Sequence, residues 1–200
     1  MELAYKNIAI IGAGAAGCMC AYFLLKKGLN VTIFDIGSPL RTLLPTGGGR
    51  CNLAHAEFDF KELAKNYPRG EKFLYSVFSK FGTADTLSTF EEIGVNTYTQ
   101  ENGRIFPESN SAKEVREAIL KNIQNADFIK ENVVGIEQKD FAFKLKTNKA
   151  QYLFDKVIIA TGGHSGLKLL ENLGISLIEQ KPSLVGLNTK ESFKENKLFI

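Results

Sequence analysis

Two glycine-rich stretches hold the residues whose types and spacing are best suited to chemistry. The first, Gly12-Ala-Gly-Ala-Ala-Gly17, has the G-x-G-x-x-G spacing, which allows a tight turn and brings a pyrophosphate close to backbone N–H groups. Asp35 follows at the separation at which such motifs place a carboxylate for a ribose diol. The spacing therefore predicts a dinucleotide site that contains Gly12, Gly14, Ala15, Ala16, Gly17 and Asp35.

The second stretch, Gly47-Gly-Gly-Arg-Cys-Asn52, places three glycines directly before an arginine, a cysteine and an asparagine. Three interpretations fit such a loop: a phosphate-binding loop, half of a redox dithiol, or the floor of a cofactor pocket. A phosphate-binding loop of the Walker type requires a lysine after its last glycine, and Arg50 stands there instead. The residues alone therefore exclude the first interpretation and leave the other two open.

The elements around the first stretch form one β-α-β unit. They are predicted as a strand, a helix and a second strand, at Ile8–Ile11, Gly14–Lys27 and Asn30–Phe34. The apolar run from Ile8 to Leu25 also reaches the length of a membrane helix. Its glycines and its weakly basic start argue against both a membrane span and a signal peptide. We therefore expect a cytoplasmic protein without a membrane partner.

The rest of the chain combines helical and strand-like segments. Residues 36–57 are rich in Gly, Pro, Ser and Thr and are predicted to form a long functional loop. Helices are predicted at Phe60–Asn66, Glu71–Phe81, Ala84–Ile93, Ser111–Gln124 and Leu167–Leu173. Ser111 is predicted to be the N-cap of its helix. Strands are predicted at Val95–Gln100, Arg104–Phe106 and Ile175–Ile178, and in a series at Phe128–Lys130, Val133–Glu137, Phe141–Thr147 and Gln151–Phe154. A buried strand at Asp155–Ala160 stops at Thr161-Gly162-Gly163.

This order of elements resembles the FAD domain of the glutathione-reductase-like flavoproteins. The resemblance implies an α/β fold, a Rossmann-like FAD/NAD(P)-binding domain whose parallel sheet has helices on one face and a small antiparallel β insert on the other. It also implies that Val133 contacts the adenine and that Thr161 and Gly162 pass beneath the cofactor. Dithiol reductases of this group carry a second cysteine five residues after the first, but the position after Cys51 holds Ala56. Disulfide chemistry through the flavin is therefore not expected.

A narrower resemblance covers nearly the whole chain. The stretch Arg41–Asn52, then Gly103-Arg-Ile-Phe-Pro107, Ala160-Thr-Gly-Gly163 and Pro182–Leu187 occur in the order found in the aminoacetone oxidase-like bacterial NAD(P)/FAD-dependent oxidoreductases. This resemblance implies FAD as cofactor and a flavin- and pyrophosphate-lining role for Arg41, Gly48, Gly49, Arg50, Cys51 and Asn52. Asn52 is also typical of a simple turn, and Arg50 of a solvated side chain. Thr42 departs from the family, which has a lysine there, so one basic contact is expected to be absent.

Composition restricts the partners. The chain has 200 residues and a net charge of +3, with lysines scattered among acids, and nucleic-acid binding normally requires a basic stripe. We therefore predict a small-molecule substrate and no nucleic-acid partner. Three cysteines favour a reducing compartment over a disulfide framework, and the spacing of His, Cys, Asp and Glu shows no metal-ligand cluster.

These observations predict the FAD-binding part of a flavin-dependent oxidoreductase that moves a hydride between NAD(P)H or an organic substrate and FAD. Residues 1–188 are assigned to an FAD-binding domain that lacks its returning C-terminal segment, and residues 189–200 to the start of an inserted substrate domain. No catalytic residue is identified, because the flavin supplies the redox chemistry. The alternatives are a truncated or degenerate non-catalytic nucleotide-binding module and a flavoprotein of tRNA modification.

Overall fold

The structure, a computed structural model, describes residues 6–163, 166–171 and 173–178. The predictions for Pro182–Leu187 and for the boundary at 189 lie outside the described residues. The first three elements are β1, Asn7–Ile11, α1, Ala15–Lys26, and β2, Asn30–Phe34. The predicted β-α-β unit is confirmed, and it divides the long apolar run between a strand and a helix.

Two short 3-10 turns and the remaining helices and strands follow. The turns are Arg41–Leu43 and Thr46–Gly49, within the predicted loop. The helices are α2, Phe60–Lys65, α3, Glu71–Phe78, α4, Thr83–Glu92, α5, Ala112–Asn122, and α6, Leu167–Glu171. The strands are β3, Ala54–His55, β4, Thr97–Thr99, β5, Arg104–Pro107, β6, Asp127–Ile129, β7, Val133–Lys139, β8, Ala142–Thr147, β9, Gln151–Phe154, and β10, Lys156–Ile159.

A four-stranded parallel sheet in the order β10-β1-β2-β6 forms the centre of the fold. Ile10 of β1 lies opposite Ile33 of β2 and Ile158 of β10. Two antiparallel sheets, β3-β5-β4 and β7-β8-β9, accompany it. The strand predicted at Phe128–Lys130 was assigned to the antiparallel series, and this was wrong, because Phe128 pairs in parallel with Ile33 at the sheet edge.

The two faces of the parallel sheet carry different layers. Because side chains alternate along a strand, Ile10 joins the core under α1 and α5, which contribute Ala21 and Val115. Ile11 points to the opposite face and packs with Leu145 of the β7-β8-β9 sheet. The predicted arrangement, helices on one face and an antiparallel insert on the other, is confirmed.

Two local predictions had different outcomes. Ser111 caps α5 as expected, since its Oγ accepts the Glu114 N–H at 3.3 Å. The strand predicted at Ile175–Ile178 is absent. The apolar composition of this segment suggested a strand, but the segment pairs with no strand in the described part of the chain. Ile178 is accordingly 86% exposed.

Candidate cofactor-binding site

A cavity of about 520 Å³ opens at the carboxyl ends of β1, β2 and β10. The central strand β1 has β2 on one side and β10 on the other, and ligands of parallel α/β sheets bind where the strand order reverses in this way. Nine of the residues predicted from sequence line it: Gly12, Gly14, Ala15, Ala16, Asp35, Arg41, Val133, Thr161 and Gly162. The cavity therefore brings together residues that are far apart in the chain.

Gly12 ends β1 in a conformation that favours glycine, with φ of +106°. A Cβ atom at this position would lie 2.4 Å from the carbonyl oxygen of Ala160. The Gly12 N–H donates to the carbonyl of Phe34 at 2.8 Å. Gly12 is therefore required because the ends of three strands approach closely at this position. Its backbone forms part of the cavity wall.

Gly14 is different, because nothing in the described protein requires a glycine there. Its φ of −77° and ψ of −173° are open to any L-residue, and a Cβ would meet no atom within 4 Å. The open space adjoins the cavity that Gly14 lines. This position is therefore free of a side chain on the side from which a ligand approaches the backbone.

Gly17 lies below the cavity and does not line it. A Cβ on this buried residue would lie 1.9 Å from the carbonyl oxygen of Gly12. The third glycine thus allows α1 to pack against the turn at the end of β1. Of the three glycines of the G-x-G-x-x-G motif, Gly14 leaves open space beside the cavity. Gly12 and Gly17 are required because any side chain at either position would clash with backbone atoms.

The N-terminus of α1 is open toward the cavity. Gly14 is its N-cap and supplies no side-chain cap, and the first turn carries no acidic residue. Ala15 and Ala16 are exposed and line the cavity. Uncapped N–H groups and the positive end of the helix dipole favour an anionic ligand such as a pyrophosphate.

Asp35 lies at the end of β2, and both of its carboxylate oxygens accept backbone hydrogen bonds. Oδ2 accepts the Ala13 N–H and Oδ1 accepts the Gly37 N–H, each at 2.7 Å. A carboxylate oxygen accepts more than one hydrogen bond, so these contacts orient Asp35 and leave acceptor capacity for a hydroxyl. The ribose contact of Asp35 stays a prediction.

The loop after Asp35 is held by residues that sequence reasoning did not connect to the site. Leu40 is fully buried with φ of +57°, and its N–H donates to the carbonyl of Ala13 at 2.7 Å. Arg116 of α5 donates from Nε to the carbonyl of Pro39 at 2.9 Å. These contacts fix the start of the turn that carries Arg41. They were missed because Arg116 lies 77 residues from its partner and no local pattern links the two.

The opposite wall of the cavity comes from the start of β7. Val133 is buried and lines the cavity together with Glu131 and Asn132. The Glu131 carboxylate accepts from Thr147 Oγ1 at 2.6 Å and from the Tyr152 hydroxyl at 3.2 Å. The position of Val133 fits the predicted adenine contact, which stays a prediction, and Glu131 and Asn132 were not foreseen.

The second glycine-rich stretch lies outside the cavity lining. Gly47, Gly48 and Gly49 have φ values of +56°, +67° and +85°. Arg50 donates from Nε to the carbonyl of Gly47 at 3.2 Å, and its guanidinium carbon lies 4.1 Å from the ring centre of Phe106. The arginine therefore makes a cation–π contact with a buried ring instead of facing the cavity.

Asn52 and Cys51 also make structural contacts. The Asn52 amide, oriented with its nitrogen toward both, donates to the carbonyls of Ile105 and Ala54 at 3.1 and 3.0 Å. Cys51 is buried with φ of +65°, and burial raises the pKa of its thiol. The roles of these two residues, and of Gly48, Gly49 and Arg50, in flavin binding stay predictions.

The thiols of the described residues are poorly suited to nucleophilic chemistry. Burial raises the pKa of Cys18 to about 12, and burial also raises the pKa of Cys20. Because the thiolate is the reactive form, these side chains stay protonated near neutral pH. Cys18 instead packs inside α1, with its Sγ 3.4 Å from the carbonyl oxygen of Ala13.

These residues fit a dinucleotide such as FAD. The space beside Gly14, the uncapped start of α1 and the oriented Asp35 provide a steric opening, a positive dipole end and an acceptor. Within residues 6–163, 166–171 and 173–178, no helix has the length and apolar character that a membrane crossing requires.

Solved structures with this architecture support the fold. One is THI4 from Thermovibrio ammonificans, with a TM-score of 0.53 and 16% identity, covering 86% of this chain and 64% of that one. Another is NikD, an amino acid oxidase essential for nikkomycin biosynthesis, with a TM-score of 0.50 and 14% identity, covering 84% of this chain and 55% of NikD. At these identities the likeness shows the fold alone.

Sequence relatives are closer. The ribosomal RNA dihydrouridine synthase of Haemophilus influenzae is 30% identical over 95% of this chain and 51% of its own length. The protein of the same name from Escherichia coli is 27% identical over 88% of this chain and 46% of its own length. The chain thus spans about half the length of these relatives. The family model for the "HI0933-like protein Rossmann domain" matches residues 6–180 of this chain. The chain therefore belongs to this family.

Proposed function

We propose that the chain is the FAD-binding part of a flavin-dependent oxidoreductase. The observation that carries the proposal is the side-chain-free space beside Gly14, which adjoins the uncapped start of α1. In a protein without a dinucleotide, a serine, aspartate or asparagine would fit at this N-cap position and would stabilise the helix more than glycine does. The glycine is explained when a pyrophosphate occupies the space.

The residues of the cavity then have distinct tasks. The N–H groups at the start of α1 hold the pyrophosphate, and Asp35 accepts hydrogen bonds from the ribose diol. Val133 would contact the adenine, and Thr161 and Gly162 at the end of β10 would line the cavity beneath the cofactor. When bound, FAD supplies hydride transfer with NAD(P)H or an organic substrate. The protein contributes the position and electrostatic environment of the cofactor.

Cofactor reconstitution tests this proposal. The purified full-length protein is expected to show flavin absorbance, or to acquire it on incubation with FAD, and to lose it on gel filtration when Asp35 is changed to Ala. Anaerobic bleaching by NADH or NADPH identifies the electron donor. A folded protein that takes up no FAD at high concentration contradicts the proposal, and FAD binding without reduction by any donor favours the non-catalytic module.

A second candidate is reduction of uridine in ribosomal RNA. It is favoured by the Haemophilus influenzae relative, whose alignment covers 95% of this chain. Formation of dihydrouridine adds a hydride and a proton across the C5–C6 double bond of uracil, and a reduced flavin is a suitable hydride donor. This candidate opposes the prediction that nucleic acid is not a partner.

Analysis of ribosomal RNA separates the two candidates. If the second holds, deletion of the gene abolishes dihydrouridine at one or more rRNA positions, and re-expression of the wild-type protein restores it. Re-expression of the Asp35→Ala variant is expected not to restore it. An unchanged dihydrouridine content after deletion rules out this candidate and leaves the general oxidoreductase proposal in place.

A further inference from the structure

Helix α3 has one face that the described residues leave uncovered. Lys72, Phe73, Ser76, Val77 and Lys80 follow one side of the helix and of the turn that continues it, and we call them the α3 face. The Phe73 side chain is 74% exposed and that of Val77 is 42% exposed. The Lys80 N–H donates to the carbonyl of Val77 at 3.0 Å, which extends the helical path to Lys80.

The other side of α3 is partly buried by aromatic contacts. The rings of Tyr75 and Phe60 lie 6.2 Å apart in an edge-to-face arrangement, and those of Phe78 and Tyr67 lie 5.5 Å apart. These contacts join α3 to α2 and to the segment between α2 and α3, which carries Tyr67. These ring contacts orient α3, and Phe73 lies on the side of the helix away from them.

The charge around the α3 face is positive. Lys72, Lys80 and the preceding Arg69 are exposed and make no ion pair with any residue in the described part of the chain. The neighbouring acids are engaged, since Glu71 accepts from the Tyr75 hydroxyl and Glu62 from Lys65, both at 2.6 Å. The segment 69–80 thus carries three exposed cations beside an exposed aromatic ring.

We propose that the α3 face binds single-stranded RNA, with Phe73 stacked on a base and Lys72, Lys80 and Arg69 on phosphates. Exposed aromatic rings among cations are the usual platform for unpaired nucleotides, and an anionic partner complements the charge. The eight-residue helix offers two exposed apolar side chains, too few for the broad apolar face of a membrane-surface helix. The inference rests on the rRNA candidate function.

The experiment uses the full-length flavin-loaded protein and a fluorescein-labelled single-stranded RNA oligonucleotide. Phe73→Ala is expected to weaken RNA binding by roughly 5- to 150-fold, the usual effect of removing one stacked base contact. Lys72→Ala combined with Lys80→Ala is expected to lower the slope of log affinity against log salt by about 1.4, which is about 0.7 per phosphate contact. Bound FAD and the melting temperature are expected to stay unchanged.

Matched controls lie on the opposite side of the fold. Phe141→Ala removes a ring that is 97% exposed at the β7-β8 turn, and Lys149→Ala removes an exposed lysine of the β8-β9 turn. Both are expected to leave RNA affinity and its salt dependence unchanged. Equal losses from Phe73→Ala and Phe141→Ala overturn the assignment of the site to α3.

The remaining outcomes separate this inference from the function on which it rests. If none of the α3 variants changes RNA binding and the protein still restores dihydrouridine to rRNA, the α3 site is overturned and the rRNA function is supported. Absence of RNA binding in the wild type overturns the α3 site, while the dihydrouridine content of rRNA separately decides the rRNA function and retained FAD preserves the flavoprotein proposal. If Phe73→Ala instead abolishes binding to anionic vesicles or self-association and leaves RNA binding unchanged, the inference is also overturned.

Discussion

A Gly14→Val variant of the full-length protein is expected to fold and to lose FAD. The backbone at Gly14 has φ of −77° and ψ of −173°, which valine adopts without strain. A Cβ there meets no atom of the residues that the structure describes within 4 Å. Valine is a weaker N-cap than glycine, and this costs about 1 kcal/mol or less of the free energy of unfolding.

The expected loss of affinity is much larger than this loss of stability. The valine side chain fills the space between the cavity and the first N–H groups of α1, so a pyrophosphate no longer reaches them. A hydrogen bond to a charged group contributes about 1.5–3 kcal/mol. Loss of two such contacts raises the dissociation constant for FAD by roughly 100-fold or more.

Two measurements on the same preparation check this prediction. The dissociation constant comes from titration with FAD, and the stability comes from thermal unfolding of the cofactor-free protein. Cys20→Val serves as a control, because Cys20 lies on α1 but does not line the cavity. If Gly14→Val binds FAD as tightly as the wild type, the pyrophosphate does not lie against this turn and the proposed site is wrong.

Gly17→Ala is expected to have the opposite profile and to destabilise the fold itself. Its Cβ would lie 1.9 Å from the Gly12 carbonyl oxygen, which is backbone and cannot rotate away. Alanine gains about 1 kcal/mol over glycine from helix propensity. Overpacking typically costs about 1–3 kcal/mol and occasionally more, and a clash with rigid backbone places this substitution at or above the upper end of that range. The steric cost outweighs the gain in helix propensity because Gly12 is itself held against Ala160 and Phe34.

Thermal unfolding without FAD measures this effect apart from ligand linkage. A net loss of about 2–3 kcal/mol lowers the melting temperature by roughly 4 to 12 °C in a domain of this size. Gly14→Ala provides the matched control, since it is the same substitution three residues earlier, where the Cβ has open space. Equal melting temperatures for the two variants contradict the assignment of separate roles.

The parts of the fold that depend on short-range spacing were predictable from sequence. The second strand was found at Asn30–Phe34 with the observed bounds, because apolar residues are bracketed there by a glycine and an aspartate. The fingerprint turn and its helix followed from glycine spacing, which restricts the backbone locally. The cap of α5 was also local, since Ser111 acts on an N–H three residues later.

Features that depend on pairing across the chain were not predictable. The strand Asp127–Ile129 looked like the first of an antiparallel series, yet it pairs with β2 in the parallel sheet. Its composition is equally suited to either sheet. Which sheet the strand joins depends on where the chain lies after α5, the preceding helix. The guanidinium of Arg50 was similarly ambiguous until Phe106, which is buried beneath the loop, provided its partner.

The sequence by itself determined the β-α-β unit, the nucleotide fingerprint and the acid that follows it, because these depend on residues close together in the chain. Only the tertiary structure decided that Gly14 faces open space while Gly12 and Gly17 are fixed by packing. It also decided that Phe73 and the neighbouring cations Arg69, Lys72 and Lys80 stay exposed, while Tyr75 and Phe78 of the same helix contact Phe60 and Tyr67. Both outcomes depend on which surfaces meet when the layers pack, and composition and spacing do not record that information.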